Sequence, residues 1–213
     1  MQEVHRWHGE ALGKKVAASL ERNGFTAQYY EARGELIEAV LPLLEPGITV
    51  GFGGSMTVRE LGIIEKAKER GCVLLDHNAP GLDAEARREI LRRQLTADLF
   101  ISGTNAVTLD GELVNVDGNG NRVAALSFGP KKTLVIVGVN KIVRDIDEAF
   151  ARIELTASPK NNKRLNKPNP CTKTGYCMDC DTETRICRIY SVLKRRPAAS
   201  DFSVFIVGEE LGF

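Results

Sequence analysis

The chain has 213 residues, enough to bury the core of one α/β domain and slightly above the usual domain size. Twenty-nine Lys and Arg against 28 Asp and Glu leave a net charge of +1, and no long block of one sign marks a nucleic-acid or anionic-membrane surface. The start, MQEVHRWHGEALGKK, lacks the apolar core of a secretory signal, and no apolar run approaches the ~20 residues that span a bilayer, so a soluble cytoplasmic protein without membrane insertion is expected.

Trp7, Ala11, Val16 and Leu20 recur near helical spacing and Gly24 follows as a stop, which predicts an opening helix. TAQYY reads as a short strand, followed by a helix ending near Pro46, a buried strand at ITVGF and one helix over MTVRELGIIEKAKERG stopped by Gly71. The alternation continues through VLLD, AEARREILRRQLT, DLFISG, RVAALSF, TLVIVGV, DIDEAFARIEL and FSVFIVG. Parallel strands need crossovers that usually contain helices, so this order predicts a mainly parallel sheet sandwiched by helices. Ligands of such sheets gather beyond the carboxyl ends of the strands.

Three segments fall where that rule places chemistry. In VGFGGSMTVRE, Gly51, Gly53 and Gly54 permit a close turn, while Thr57 and Glu60 have the spacing of a capping box. A helix starting there would aim amide groups at a phosphate or carboxylate, with Ser55 and Thr57 beside them. Neither a Walker motif nor G-x-G-x-x-G is present, and no nucleotide cofactor is indicated. The bland alternative is a strand-to-helix turn without a ligand.

The second segment, ISGTNAVTLDGELVNVDGNGNR, places Gly103, Thr104, Asn105, Asn115, Asp117, Gly118, Asn119, Gly120, Asn121 and Arg122 between two core strands, with Asp110-Gly111 as a hairpin turn. Asp117, Asn119 and Asn121 imitate half of a calcium loop, but Arg122 and Phe128 stand where its glycine and bidentate glutamate belong. The polar groups therefore line water, one another or a polar ligand, and the Arg122 fork suits a carboxylate or phosphate. A self-satisfied network of Asx turns accounts for the same residues.

The third segment, CTKTGYCMDCDTETRIC, spaces Cys171, Cys177, Cys180 and Cys187 as C-x5-C-x2-C-x6-C. Four thiolates satisfy tetrahedral zinc or an iron–sulfur cluster. A redox-active Cys177/Cys180 pair and plain reduced thiols are the competing readings. Acid–base candidates are few: His77 at a strand end and Lys141 in VGVNKIV, each equally at home as an ordinary loop or strand-end residue.

The combination GFGGSMT, DHNAPG, ISGTNAVTLDGELVNVDGNGNRVAALSFGPKK, VGVNKIV and VGEELGF closely resembles the LUD-domain family, the lactate-utilisation proteins formerly called DUF162, over almost the whole chain. The resemblance implies a single α/β domain over residues 1–213, similar in fold to ribose-5-phosphate isomerase, glucosamine-6-phosphate deaminase and CoA transferases. The cysteine segment is then an insertion at about 159–190 before the last strand. It also implies a small anionic metabolite as ligand, an organic acid, sugar phosphate or CoA ester. With the cysteine site, it points to an organic-acid oxidation or electron-transfer assembly with redox partner subunits, or to a homo-oligomer. The middle segment resembles more distantly the G-A-D…N-G…N-K-I-G-T stretch of methylthioribose-phosphate isomerase relatives, whose Asp moves a proton. Here GTN puts Asn105 in the acid's position, and a carboxamide cannot cycle a proton near neutral pH. That departure sets a noncatalytic binding or regulatory subunit beside the metabolic reading.

Overall fold

Along the strand at Lys132–Gly138, Leu134 and Ile136 pack into one hydrophobic cluster and Val135 and Val137 into another, all fully buried. A strand that is apolar on both faces belongs in the middle of a covered parallel sheet. The computed structural model describes residues 2–213. In chain order, α1 (Gln2–Arg22), β1 (Thr26–Tyr30), α2 (Arg33–Val40), β2 (Thr49–Phe52), α3 (Met56–Glu60), α4 (Ile63–Glu69), β3 (Val73–Leu75), α5 (Ala84–Arg93) and β4 (Leu99–Gly103) form the first half. A hairpin of β5 (Ala106–Thr108) and β6 (Leu113–Asp117) precedes α6 (Asn121–Ser127), β7 (Lys132–Gly138), β8 (Ile142–Val143), α7 (Ile146–Arg152), α8 (Ser158–Arg164), α9 (Cys171–Thr174), β9 (Ile189–Leu193) and β10 (Asp201–Val207).

The main sheet has six strands in the order β1-β10-β7-β4-β2-β3, every pair parallel. The last strand thus returns to the sheet interior, between β1 and β7. Leu36 and Val40 of α2, Val58 of α3 and Ile63 of α4 cover one face. Val16 and Leu20 of α1, with Ala125 and Leu126 of α6, cover the other. The expected fold, a mainly parallel sheet between helical layers with the cysteine segment ahead of the last strand, is the one observed.

Three local features differ from the sequence reading. The helix expected over MTVRELGIIEKAKERG is two helices, because Gly62 takes a left-handed φ of +65° and resets the axis between α3 and α4. The tract from Pro159, whose prolines and polar residues read as a separator, starts inside a helix: α7 continues through a π-helical turn at Ile153–Ala157 into α8, and the wider turn stands directly ahead of the proline that cannot donate a backbone bond. Finally, a second sheet of order β8-β5-β6-β9 stands beside the first, with β5–β6 and β6–β9 antiparallel. Its outer members are a two-residue strand and a half-exposed one, too short or too polar on one side to carry a buried-strand signature.

Candidate functional site

Strands β2, β3, β4, β7 and β10 all point their carboxyl ends at one edge of the main sheet, as parallel pairing requires. The Gly53–Ser55 turn leaves β2, His77 follows β3, Thr104 and Asn105 follow β4, Lys141 follows β7, and Leu211–Phe213 follows β10. A cavity of about 330 Å³ opens there. The two polar stretches meet across it: a methyl placed on Gly53 would lie 3.4 Å from Arg122 Cδ. Gly54, Ser55, His77, Gly103, Thr104, Asn105, Asp117, Gly118, Asn119, Asn121, Arg122 and Lys141 line the cavity. Gly51, Gly53, Thr57, Asn115 and Gly120 do not line it and act behind the wall. Gly51 is a packing glycine, since a Cβ there would sit 3.0 Å from the Phe100 ring, and Gly120 supplies the positive φ of +84° ahead of α6.

The capping box expected of Thr57 and Glu60 is not formed. Ser55 is the cap, its hydroxyl accepting from Val58 N at 3.4 Å. Thr57 is fully buried inside the helix and donates to Leu211 O at 3.3 Å, while Glu60 Oε2 accepts from Gly212 N at 2.8 Å. Thr57 and Glu60 thereby tie the chain after β10 to α3.

The VDGNGNR loop is built around Asp117 and Arg122. Asp117 Oδ2 accepts from the amides of Arg122 at 3.1 Å and Val123 at 3.2 Å, so its carboxylate caps α6. The Arg122 guanidinium donates to Asn115 Oδ1 at 2.6 Å, Val116 O at 2.7 Å, Asn105 Oδ1 at 2.9 Å and Gly103 O at 3.3 Å. Its Nε stands 3.5 Å from Asp117 Oδ1, and both side chains are only 13% exposed. The fork expected to receive a ligand is therefore filled by the protein itself, and the arginine acts as a brace between β4, β6 and the loop. Asn115 is fully buried, and its Nδ2 has no acceptor among the described residues.

Lys141 is the unusual titrating group. It is 3% exposed, and its Nζ donates to Thr57 Oγ1 at 2.7 Å. No ion pair holds it among the described residues. Burial, then the like charges of Arg152 and Arg122, lower its pKa to about 7 against a weaker pull from Glu60. His77 is also pushed down, chiefly by burial, and its Nδ1 lies 3.0 Å from Gln94 Nε2.

Sequence reasoning missed the opposite wall. Arg87 from α5, Ser158 and Arg164 from α8, and Lys167 complete the lining. The tract PKNNKRLNKPNP reads as a solvated separator, and its basic residues are the one signal that could have found this wall. The four cysteines Cys171, Cys177, Cys180 and Cys187, all free thiols, line a second cavity of about 10 Å³. Ser158, Ile186 and Cys187 line both cavities, so the thiol cluster backs directly onto the larger one. Among the described residues, no group of three or more His, Cys, Asp or Glu is set to hold a metal ion as it stands.

A family model described as the LUD domain matches residues 13–207. The chain belongs to the LUD-domain family. A crystal structure of a DUF162 family protein from Deinococcus radiodurans is similar with a TM-score of 0.52 at 14% identity, covering 93% of this chain and 98% of that one. That similarity extends the fold over nearly the whole LUD-family chain. eIF2B beta from Chaetomium thermophilum gives a TM-score of 0.36 at 18% identity over 54% of this chain and 44% of that one. Ribose 5-phosphate isomerase from Plasmodium falciparum gives 0.32 at 17% identity over 53% and 52%. A search of curated proteins returned no match. No described helix of this LUD protein is long and apolar enough to cross a membrane.

Proposed function

We propose that this LUD protein binds a small anionic metabolite in the cavity at the carboxyl edge of the main sheet. One observation carries the reading: among the described residues, Arg87, Arg122, Lys141, Arg164 and Lys167 line the cavity against a single acidic side chain, Asp117. Cations gathered on low-dielectric walls concentrate anions. Since Asp117 already neutralises Arg122, the remaining four supply the attraction. Lys141 is the deepest of them, and Arg164 and Lys167 stand on the opposite wall. At about 330 Å³ the cavity is at the small end for ligand sites, which suits an organic acid or a sugar phosphate and only the acyl end of a CoA ester. Lactate and related organic acids head the candidates because the family is one of lactate utilisation.

A second reading is a noncatalytic ligand-binding or regulatory subunit. It is favoured by the fate of Asp117, the one acidic side chain among the described lining residues, which is committed to the α6 amides and Arg122. Isothermal titration with lactate, pyruvate, ribose 5-phosphate and acetyl-CoA tests binding. An Arg164→Ala/Lys167→Ala variant is expected to weaken the bound anion about tenfold or more, near 1.4 kcal/mol, without loss of thermal stability. No heat from any of the four at about 10 mM would remove the anion reading, a Kd of that size corresponding to under about 4 kcal/mol. Turnover of a ligand that does bind would remove the noncatalytic one.

A further inference from the structure

Between residues 166 and 188 the chain has one four-residue helix, Cys171–Thr174, and otherwise no regular structure. Such a stretch normally needs an apolar core or a staple to be ordered. It has no core: the only buried apolar residues in it are Cys171 and Cys187, and none of its residues belongs to the three hydrophobic clusters of the protein. What the stretch shares is the second cavity. Sequence separation would let four thiols point anywhere, yet all four line that one small space.

The local geometry is that of a thiolate knuckle. Cys177 Sγ accepts the amide of Asp179 at 3.3 Å, and Asp179 takes a left-handed φ of +45° to place that amide two residues after the sulfur. Aspartate is among the few non-glycine residues that take this region readily, which lets the chain turn back toward the sulfur. Arg185 bonds the carbonyls of Cys180 at 2.9 Å and Cys187 at 2.7 Å, which puts a fixed positive charge against the sulfurs. Buried Asn169 ties the entry to the exit of the loop, reaching Thr184 O at 3.0 Å and accepting from Thr182 at 2.8 Å.

We propose that Cys171, Cys177, Cys180 and Cys187 bind a thiophilic metal centre, tetrathiolate zinc or an iron–sulfur cluster, that fixes the rear wall of the anion cavity. Each thiol gives its proton to solvent as its sulfur–metal bond forms. Zinc with four thiolates carries a net charge of −2, and the Arg185 guanidinium that stands against it is shared with Asp179 at 2.8 Å. Zinc–sulfur bonds of ~2.3 Å would bring the four sulfurs together about one ion, whereas a cluster would spread them around its larger body. Cys177 and Cys180 sit on half-exposed coil and can make that movement. Because Ser158, Ile186 and Cys187 face both cavities, the centre braces the α8 wall that presents Arg164.

The test is metal and sulfide content with an absorption spectrum, on full-length protein purified without oxygen, then offered zinc and, separately, equal parts of ferrous and ferric iron with sulfide, which balances the electrons of a mixed-valence cluster. About one zinc per chain, or iron and sulfide with broad absorbance near 400 nm, is expected after gel filtration. Cys177→Ala should cut the retained metal at least fivefold, and Cys72→Ser, outside the cluster, should not change it. Retention below about one metal per ten chains under both offers, or full retention by Cys177→Ala, overturns the proposal. The readout needs no ligand, so it stands apart from the fate of the anion reading.

Discussion

Replacing Lys141 by Met removes a buried amine while keeping an unbranched side chain of similar length. Its folded pKa of about 7 lies below the unfolded value near 10.5. Below pH 7 both states carry the proton, and the folded state bears the whole burden of a buried ammonium, roughly 5 kcal/mol on the full difference. Between about 7 and 10.5 the unfolded chain holds a proton that the folded one has released, so wild-type stability climbs with pH and is lost as pH falls. From pH 7.5 to 9.5 the increment is roughly 2–3 kcal/mol, approaching the full linkage slope of about 1.4 kcal/mol per pH unit. The assay is urea unfolding by far-ultraviolet circular dichroism of both proteins across that range. Subtracting Lys141→Met from wild type cancels the other titrating groups. The difference should rise by roughly 2–3 kcal/mol, and a saturating anion, which favours the ammonium, should shift that rise to higher pH. A difference constant to within ~0.5 kcal/mol would show that the amine titrates like a solvated lysine, and would refute the burial argument.

Arg122→Lys keeps the charge but not the fork, leaving several buried acceptors unmet. Stability should fall by about 3 kcal/mol in chemical denaturation, whereas a small loss with collapsed anion affinity would make the arginine a ligand contact after all. Gly103→Ala places a methyl 2.7 Å from Ser55 Oγ and 3.4 Å from Ile136 O, so the α3 cap must move. About 2 kcal/mol of destabilisation is expected by thermal unfolding, and a neutral result would show that the turn relaxes freely. Asn105→Asp retains the acceptor for Val116 N and Arg122 Nη2, so melting temperature should hold while titration calorimetry shows about tenfold weaker anion binding. Unchanged affinity would mean that the cavity does not read charge.

The fold was legible because its signals are long and redundant. The strand at Lys132–Gly138 is apolar on both faces and Thr26–Tyr30 is bounded by Gly24, and each pairs in the parallel sheet the alternation implies. What escaped was decided by single residues or by contacts distant in sequence. Nothing near Gly62 distinguishes a helix interior from a left-handed break, since glycine tolerates both. Strand β9 exists because Val116 and Asp117 offer it a pairing edge, a fact absent from IYSVL itself.

Which residues gather at the cavity was largely legible in the sequence and their contacts less so, and Arg122 shows why. Seen in sequence, an arginine beside Asn105, Asn115 and Asp117 has the same inventory whether it greets a ligand or ties the loop together. Geometry separates the two by counting donors. Turning the fork toward an anion would take the donor away from the acceptors of Gly103, Asn105, Asn115 and Val116, at about 1–3 kcal/mol for each buried group left unmet. One carboxylate cannot offset that. The anion must instead be met by cations with donors to spare, and Lys141 has one hydrogen-bond partner while Arg164 spends Nε and Nη2 on Asn161 alone. A polar loop that looks like a receptor has thus become the rigid side of the cavity, and the proposed recognition falls to an amine and a helix that the sequence presents as ordinary.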